Sequence, residues 1–331
     1  MHLDTEQFTV DPSVDGWVDK AVEHIRDSGF VIITNALTEA GIRDVRTTCE
    51  DVAMEMQALD PYARGNRGPR RYSFGGASKT KQLCHHWSFA KHLLDNAAIR
   101  RVVGAVNDGA VRCYGAGGEF VLGDTDYFQR LHSDVRHNGY KHVWPPPHLV
   151  ANFFIEDQTE DFGPTRIVPA SFTREHPHYW EEVKSSRSVL APLPRGAAVL
   201  RDARTLHSGS PNLQRRIRYL PNAEYVHEWY YAEIGPFPPS VPREFLAALS
   251  EELAHWVRDI VLSPEDDRGV CAGFALWGQE LAEEGYGWCH SCHRFRRTRF
   301  RCRFTCRQLA RNCAEPCDWC RAENCNGACY G

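Results

Sequence analysis

Apolar residues at helical spacing open the chain. Trp17, Val18, Ala21 and Ile25 recur within residues 15–28 and predict a packing helix, which Gly29 ends. Residues 30–34 then read as a strand. A second helix runs from Thr38, placed to cap it, through Met56, and its apolar positions read as core contacts. Residues 92–107 carry a third helical pattern. Between these, residues 60–82 lose all periodicity: Pro61, Gly65, Gly68, Pro69, Gly75 and Gly76 surround Arg64, Arg67, Arg70 and Arg71. A loop of that length in a compact domain is either functional or without fixed structure. The four arginines suit an anionic substrate, such as a CoA thioester or a carboxylate, as well as they suit a solvated loop.

Beyond residue 110 the period shortens. Residues 111–122 read as strands around a turn at Gly115-Ala116-Gly117-Gly118, and Val150-Ala151-Asn152-Phe153-Phe154-Ile155 reads as a buried strand. Asp161-Phe162-Gly163-Pro164-Thr165 is a turn and Arg166-Ile167-Val168-Pro169 a short strand. Residues 196–202 and 219–229 complete the set. Residues 138–147 form an insertion, and the stiff Trp144-Pro145-Pro146-Pro147 is expected at the rim of a site. Short strands separated by turn signals predict a mainly β fold with flanking helices, a double-stranded β-helix or cupin-like jelly roll. After Pro236-Phe237-Pro238-Pro239, residues 243–262 predict an amphipathic helix with Phe245, Leu246, Leu249, Leu253, Trp256 and Ile260 on one stripe.

With 331 residues, 42% of them hydrophobic, the chain can bury one sizeable core and carry an appendage. Met1-His2-Leu3-Asp4-Thr5-Glu6 lacks a basic segment followed by an apolar one, and no uncharged apolar run matches a bilayer. A soluble, cytoplasmic protein without a signal peptide or membrane span is expected. The formal net charge is −4, yet residues 289–331 hold nine arginines against three acids. An acidic body and a basic tail divide the chain into a main domain over 1–262, a helical linker over 263–288 and a Cys-rich module over 289–331.

Nine of the 13 cysteines fall in that module: Cys289, Cys292, Cys302, Cys306, Cys313, Cys317, Cys320, Cys325 and Cys329. Cys289-x-x-Cys292 and Cys317-x-x-Cys320 have zinc-site spacing, with His290 and His293 as further candidate ligands. A disulfide-stapled module is the competing account, but it needs an oxidising compartment; an unstructured tail is the third. Arginines interleaved with Phe295, Phe300 and Phe304 are compatible with nucleic-acid contact, and equally with a protein-docking or solvated face.

Candidate chemistry centres on Gln129-Arg130-Leu131-His132-Ser133-Asp134 and, 73 residues beyond Asp134, on His207. On a strand, residues i and i+2 share a face, so His132 and Asp134 can grip one ion together. His207, arriving from a separate strand, completes two imidazoles and one carboxylate with open positions opposite, the arrangement of non-haem Fe(II) oxygenases. A short His-x-Asp motif alone is weak, and a histidine making one structural hydrogen bond is the bland account.

Three motifs in order make the signal specific. Gln129-x-x-His132-x-Asp134, Gly163-Pro164-Thr165-x-x-Val168-Pro169-Ala170-Ser171 and Asp202-Ala203-Arg204-x-x-His207-x-Gly209-x-Pro211-Asn212 together resemble the phytanoyl-CoA dioxygenase family of Fe(II)/2-oxoglutarate oxygenases. The likeness extends over residues 20–230 and takes in Ser28-Gly29-Phe30-Val31-Ile32-Ile33 as the family's first strand after an N-terminal helix. By matching position, the resemblance implies His132, Asp134 and His207 as iron ligands. It implies Arg218 as the partner of the distal carboxylate of 2-oxoglutarate, a task suited to the guanidinium fork. Gln129 and Thr165 match positions that help hold the cosubstrate. Arg216 would share a face with Arg218 on an extended strand, whereas Arg215 would point away.

The implied activity is hydroxylation of a C–H bond in a small-molecule or acyl substrate by dioxygen, releasing succinate and CO2. Fe(II) and 2-oxoglutarate would be the cofactors, with ascorbate as a candidate reductant and zinc as a candidate in the tail. The carboxylate at Asp134 favours oxygen transfer over halogenation, in which a small residue stands at that position. The alternative is a catalytically degenerate jelly roll that binds metal and docks to a partner through its tail.

Overall fold

The computed structural model describes residues 3–77, 83–129, 131–135, 143–173, 188, 190 and 192–263, and the backbone of 286–289 and 294–297. Gly29 turns the chain out of the first helix, α1 (Trp17–Ser28), straight into a strand, β2 (Phe30–Ile33), at φ +83°, a conformation open to glycine. A Cβ there would lie 2.2 Å from Thr205 Oγ1, so this junction also needs the missing side chain. β2 follows a short β1 (Thr9–Val10) and precedes α2 (Glu39–Leu59), whose N-cap Thr38 accepts from the Gly41 amide at 3.1 Å.

Seven strands form the larger sheet, in the order β1-β2-β7-β5-β9-β4-β3. The remaining members are β3 (Arg71–Ser73), β4 (Val111–Val121), β5 (His148–Phe153), β7 (Ala198–Asp202) and β9 (Arg218–His227). β6 (Thr165–Ile167) and β8 (His207–Gly209) pair antiparallel as a small facing sheet. Single bridges enlarge it, among them His132 with His207 and Thr125 with Asn212. This is the expected mainly β architecture with flanking helices.

Period-2 alternation decides which face each residue serves. Tyr219, Ala223 and Tyr225 of β9, with Leu149, Ala151 and Phe153 of β5, pack in a core shared with Ile42, Val45, Cys49, Val52 and Met56 of α2. α1 and α3 (Ala97–Val106) contribute Ala21, Ile25, Val102 and Val103 to the same layer. Each fully buried aliphatic or aromatic side chain contributes about 1.5–3 kcal/mol. A smaller apolar cluster, Phe30, Ile32, Phe154, Ile167, Val199 and Leu220, fills part of the opposite, inner face. The residues between those of β9's outer row, Arg218, Leu220, Asn222 and Glu224, face inward, where a ligand can reach them.

Several elements differ from expectation. Gly115 to Gly118 make no turn: β4 runs unbroken through them, with a bulge between Cys113 and Gly115. Gly118 is required because a Cβ would stand 2.2 Å from the Leu220 carbonyl oxygen. Residues 60–82 are not all loop, since they contain β3. Residues 92–107 are α-helical only from Ala97 to Val106; Ala90–Leu94 is π-helical and Asn96 caps α3 by accepting from Ile99 N.

The long helix over 243–262 is also broken. After β9 and a helix, α4 (Glu228–Ile234), come β10 (Val241–Pro242), a 3-10 segment Arg243–Ala248, α5 (Glu251–Trp256) and β11 (Val261–Leu262). Ser250 interrupts it, its hydroxyl capping Leu253 N and donating to Asp95 Oδ1 at 2.5 Å. The apolar stripe survives: Leu249, Leu253, Trp256 and Ile260 are buried.

Residues 286–288, expected to end a helical linker, lie in β12 (Tyr286–Cys289), which pairs antiparallel with β13 (Arg294–Arg297). Cys292, Cys302, Cys306, Cys313, Cys317, Cys320, Cys325 and Cys329, and with them the zinc and disulfide accounts, lie outside the described residues. Among the described residues, no helix is long and apolar enough to cross a membrane.

Candidate metal centre

His132 and His207 meet through their backbones. Each donates its amide to the other's carbonyl at 2.9 Å, the reciprocal pair of an antiparallel bridge, which puts both side chains on one face. Their ring centroids are 4.4 Å apart. Asp134 is not on a strand with His132, contrary to the i, i+2 argument. Instead the chain bends at Ser133, whose hydroxyl donates to Val135 O at 2.6 Å, and the Asp134 amide donates to Ala203 O at 2.9 Å. Asp134 Oδ1 then lies 3.7 Å from His132 Nε2, and Oδ2 lies 3.5 Å from His207 Nε2. One nitrogen or oxygen from each of the three residues falls within 4.8 Å of the others.

The protonation states suit a cation. His207 Nδ1 lies 3.0 Å from Thr205 O, which orients Nε2 toward the centre. Burial, with Arg201 nearby, pushes the His207 imidazole well below its ordinary value, so it is neutral and carries a free lone pair. Burial would raise the Asp134 carboxyl, but the charge and hydrogen bond of Arg201 oppose it, and the group is held well below the usual carboxylate range. Arg201 Nη2 donates to Asp134 Oδ2 at 2.7 Å. The only sequence trace of Arg201 was a charge inside an apolar strand.

A second polar group lies on the larger sheet. Val121 of β4 is paired with Arg71 on one side and Arg218 on the other, so both guanidiniums share a face. Glu119, two residues before Val121, joins them there. Arg218 Nη2 donates to Glu119 Oε1 at 2.8 Å, and Arg71 Nη2 donates to Ser210 O at 2.6 Å and Tyr127 O at 3.1 Å. Both arginines are fully buried. Nε and Nη1 of each have no hydrogen-bond partner among the described residues. Two guanidiniums against one carboxylate leave an excess positive charge in a dry place, and such donors demand an anion.

Gln129 and Thr165 border this group. Gln129 Oε1 accepts from Gly209 N at 2.9 Å, and Thr165 is paired with Gly209 across β6 and β8. A Cβ at Gly209 would lie 2.6 Å from Arg71 Nη1, so glycine lets the strand approach the arginine. Arg216 does not share the site, because β9 begins only at Arg218; it pairs with Glu156 at 3.0 Å and lies over the Phe162 ring. Arg215 is exposed, as expected. Glu119 carried no sequence signal, whereas Arg71 stood out only as one of four arginines.

A curated relative, the dioxygenase sphC of Aspergillus fumigatus, is 26% identical over 220 residues, 59% of this chain and 55% of that protein. The chain thus spans about half the length of the curated relative it matches. Solved structures with a similar fold include the non-haem α-ketoglutarate-dependent carbocyclase SnoK from nogalamycin biosynthesis, at TM-score 0.49 and 18% identity over 66% of this chain and 92% of that one. AviO1 from Streptomyces viridochromogenes Tue57 aligns at TM-score 0.47 and 18% identity, over 68% and 97% of the two chains. The family model for phytanoyl-CoA dioxygenase (PhyH) matches residues 25–219, a span that contains His132, Asp134, His207, Arg71 and Arg218. Because that match takes in more than half of the sequence, the chain belongs to the phytanoyl-CoA dioxygenase family.

Proposed function

We propose that the chain is a non-haem Fe(II)- and 2-oxoglutarate-dependent dioxygenase that hydroxylates a C–H bond of a small-molecule or acyl substrate, releasing succinate and CO2. One observation carries this reading: two imidazoles and a carboxylate converge within 4.8 Å, and between the same two sheets lie four buried guanidinium nitrogens that have no acceptor among the described residues. The donor set fits a borderline divalent ion such as Fe(II) and leaves positions open for other ligands. Bound there, iron supplies the redox chemistry that couples decarboxylation of the 2-oxo acid to oxidation of the C–H bond.

The protein's part is to bind and to orient. His132 and His207 offer their Nε2 atoms, and Asp134 offers Oδ1 because Arg201 engages Oδ2. Arg218 and Arg71 receive the distal carboxylate of the cosubstrate through their unpartnered nitrogens, while Glu119 holds Arg218 in place. Gln129 and Thr165 border that pocket. The apolar inner cluster of Phe30, Phe154, Ile167 and Leu220 excludes water and strengthens every charge interaction inside. Ascorbate as reductant, zinc in the tail, contact of its basic face with protein or nucleic acid, and a cytoplasmic location belong to the same reading and rest on sequence alone.

The test is succinate release from 2-oxoglutarate under Fe(II), followed by product analysis by mass spectrometry. His132→Ala is expected to abolish it. Full turnover in that variant would remove the ligand assignment, and no turnover in the unaltered chain would favour the binding-protein alternative.

A further inference from the structure

The inner face of the larger sheet carries polar side chains that the proposed chemistry does not use. β9 presents Asn222 and Glu224 there, and β5 presents His148 and Asn152. Asn152 is paired with Asn222, while Val150 is paired with Glu224 on one side and Arg201 on the other. Directly paired residues point to one side of a sheet. Glu224 and Arg201 therefore share a face two strand spacings apart, roughly 10 Å between their backbones. Arg201 reaches from that row to Asp134, so Glu224 lies on the same face as the residue that holds the candidate centre. Tyr114, whose ring stacks on His148 at 5.2 Å between centroids, feels both ends of this face: burial raises its phenol, and the charges of Glu224 and Asp134 add to the rise.

Glu224 is held by two neighbours. Its Oε2 lies 3.0 Å from His148 Nε2, and its Oε1 accepts from Asn222 Nδ2 at 2.9 Å. Asn222 is fixed in turn by accepting from Gly117 N at 3.0 Å, and the His148 ring stacks on Tyr114. No lysine or arginine pairs with Glu224 among the described residues. Asn152 is 8% exposed, and no hydrogen bond ties its side chain to a described residue. The Glu224 carboxylate, 21% exposed, and the Asn152 amide thus turn acceptors and donors toward the open inner face, where a ligand can complete them.

We infer that Glu224, positioned by His148 and Asn222, forms with Asn152 the subsite that reads the substrate, and that it takes a small molecule bearing a hydroxyl or amine donor and rejects a carboxylate. Its consequence for catalysis rests on the dioxygenase reading; the binding claim does not. The experiment uses the full chain, under argon with Fe(II) and 2-oxoglutarate, and three probes on one skeleton: cyclohexylmethylamine, cyclohexylmethanol and cyclohexanecarboxylate. Ligand-observed NMR titration gives each affinity. The amine and the alcohol are expected to bind at least tenfold more tightly than the carboxylate.

Glu224→Gln keeps an acceptor but loses the charge, so it should weaken the amine at least tenfold and the alcohol much less. Asn152→Ala, which breaks no described hydrogen bond, should weaken both and serves if Glu224→Gln fails to fold. Equal binding of the carboxylate, no binding of the amine or alcohol, or unchanged affinities in the folded variants would overturn the inference. Succinate release is measured separately. Glu224-dependent amine binding without succinate release would sink the dioxygenase reading and keep the subsite, and the reverse pattern would do the opposite.

Discussion

Arg201 donates from Nη2 to Oδ2 of Asp134 at 2.7 Å, while Oδ1 of the same carboxylate turns toward His132 Nε2. One oxygen is thus committed to a buried cation on β7 and the other is left for the centre. Supporting contacts of this kind orient a ligand and typically change metal affinity 10–100-fold.

Arg201→Ala is therefore expected to weaken binding of a divalent ion by about that 10–100-fold factor. Calorimetric titration with Co(II) or Fe(II) reads the effect directly, and Arg201→Lys should recover part of it by keeping the charge without the fork. Unchanged metal affinity in the folded alanine variant would reject the positioning role.

Removing either buried guanidinium should fall on the cosubstrate. Hydrogen bonds to charged groups are worth about 1.5–3 kcal/mol, so Arg218→Ala and Arg71→Ala should each raise the apparent 2-oxoglutarate KM roughly tenfold to a hundredfold. Metal affinity should stay near that of the unaltered chain. An unchanged KM in the Arg71 variant would leave Arg218 as the sole anchor.

Gly209→Ala tests the packing of that pocket from its other side. The new Cβ would meet Arg71 Nη1 at 2.6 Å and Gln129 Oε1 at 2.9 Å, so the arginine must shift. A higher 2-oxoglutarate KM with a thermal midpoint lowered by only a few degrees is the expected pattern; unchanged kinetics would show that Arg71 can move without consequence.

Acid should loosen the start of α4. His227 is its N-cap, with Nδ1 accepting from Trp229 N at 3.1 Å, which requires the neutral ring. Burial lowers this histidine below its ordinary 6.5. A depressed folded value means that the unfolded chain binds the proton more readily. The stabilisation is then present above about pH 6.5 and is lost as pH falls through the folded value. His227→Asn keeps a cap without the titration and should flatten the fall in thermal midpoint between pH 7 and 5; a cap is worth about 1 kcal/mol. An equally steep fall in the variant would assign the loss to other groups.

Much of this protein was legible in its residues. The periodicities of α1, α2, β5 and β7, the Thr38 cap and the jelly-roll spacing all depend on neighbours along the chain, and local patterning reports such things faithfully. The His-x-Asp motif and the later histidine were visible for the same reason: side-chain identity and order are properties of the sequence. Local patterning misled where a distant strand decided the outcome. Gly115 to Gly118 resemble a turn, but pairing with β9 draws them into one continuous strand. Ser250 splits a well-patterned helix because Asp95, far away in sequence, supplies the partner for its hydroxyl.

What only the tertiary structure decided is the electrostatic surroundings of the centre. Arg201, Glu119, Arg71 and Glu224 acquire meaning from registers across β3, β4, β5, β7 and β9, in which residues dozens of positions apart come to share a row and a face. A strand's own alternation says which side chains point the same way. It does not say which charges they will meet, because the partner across the ladder is chosen by the burial of the whole sheet.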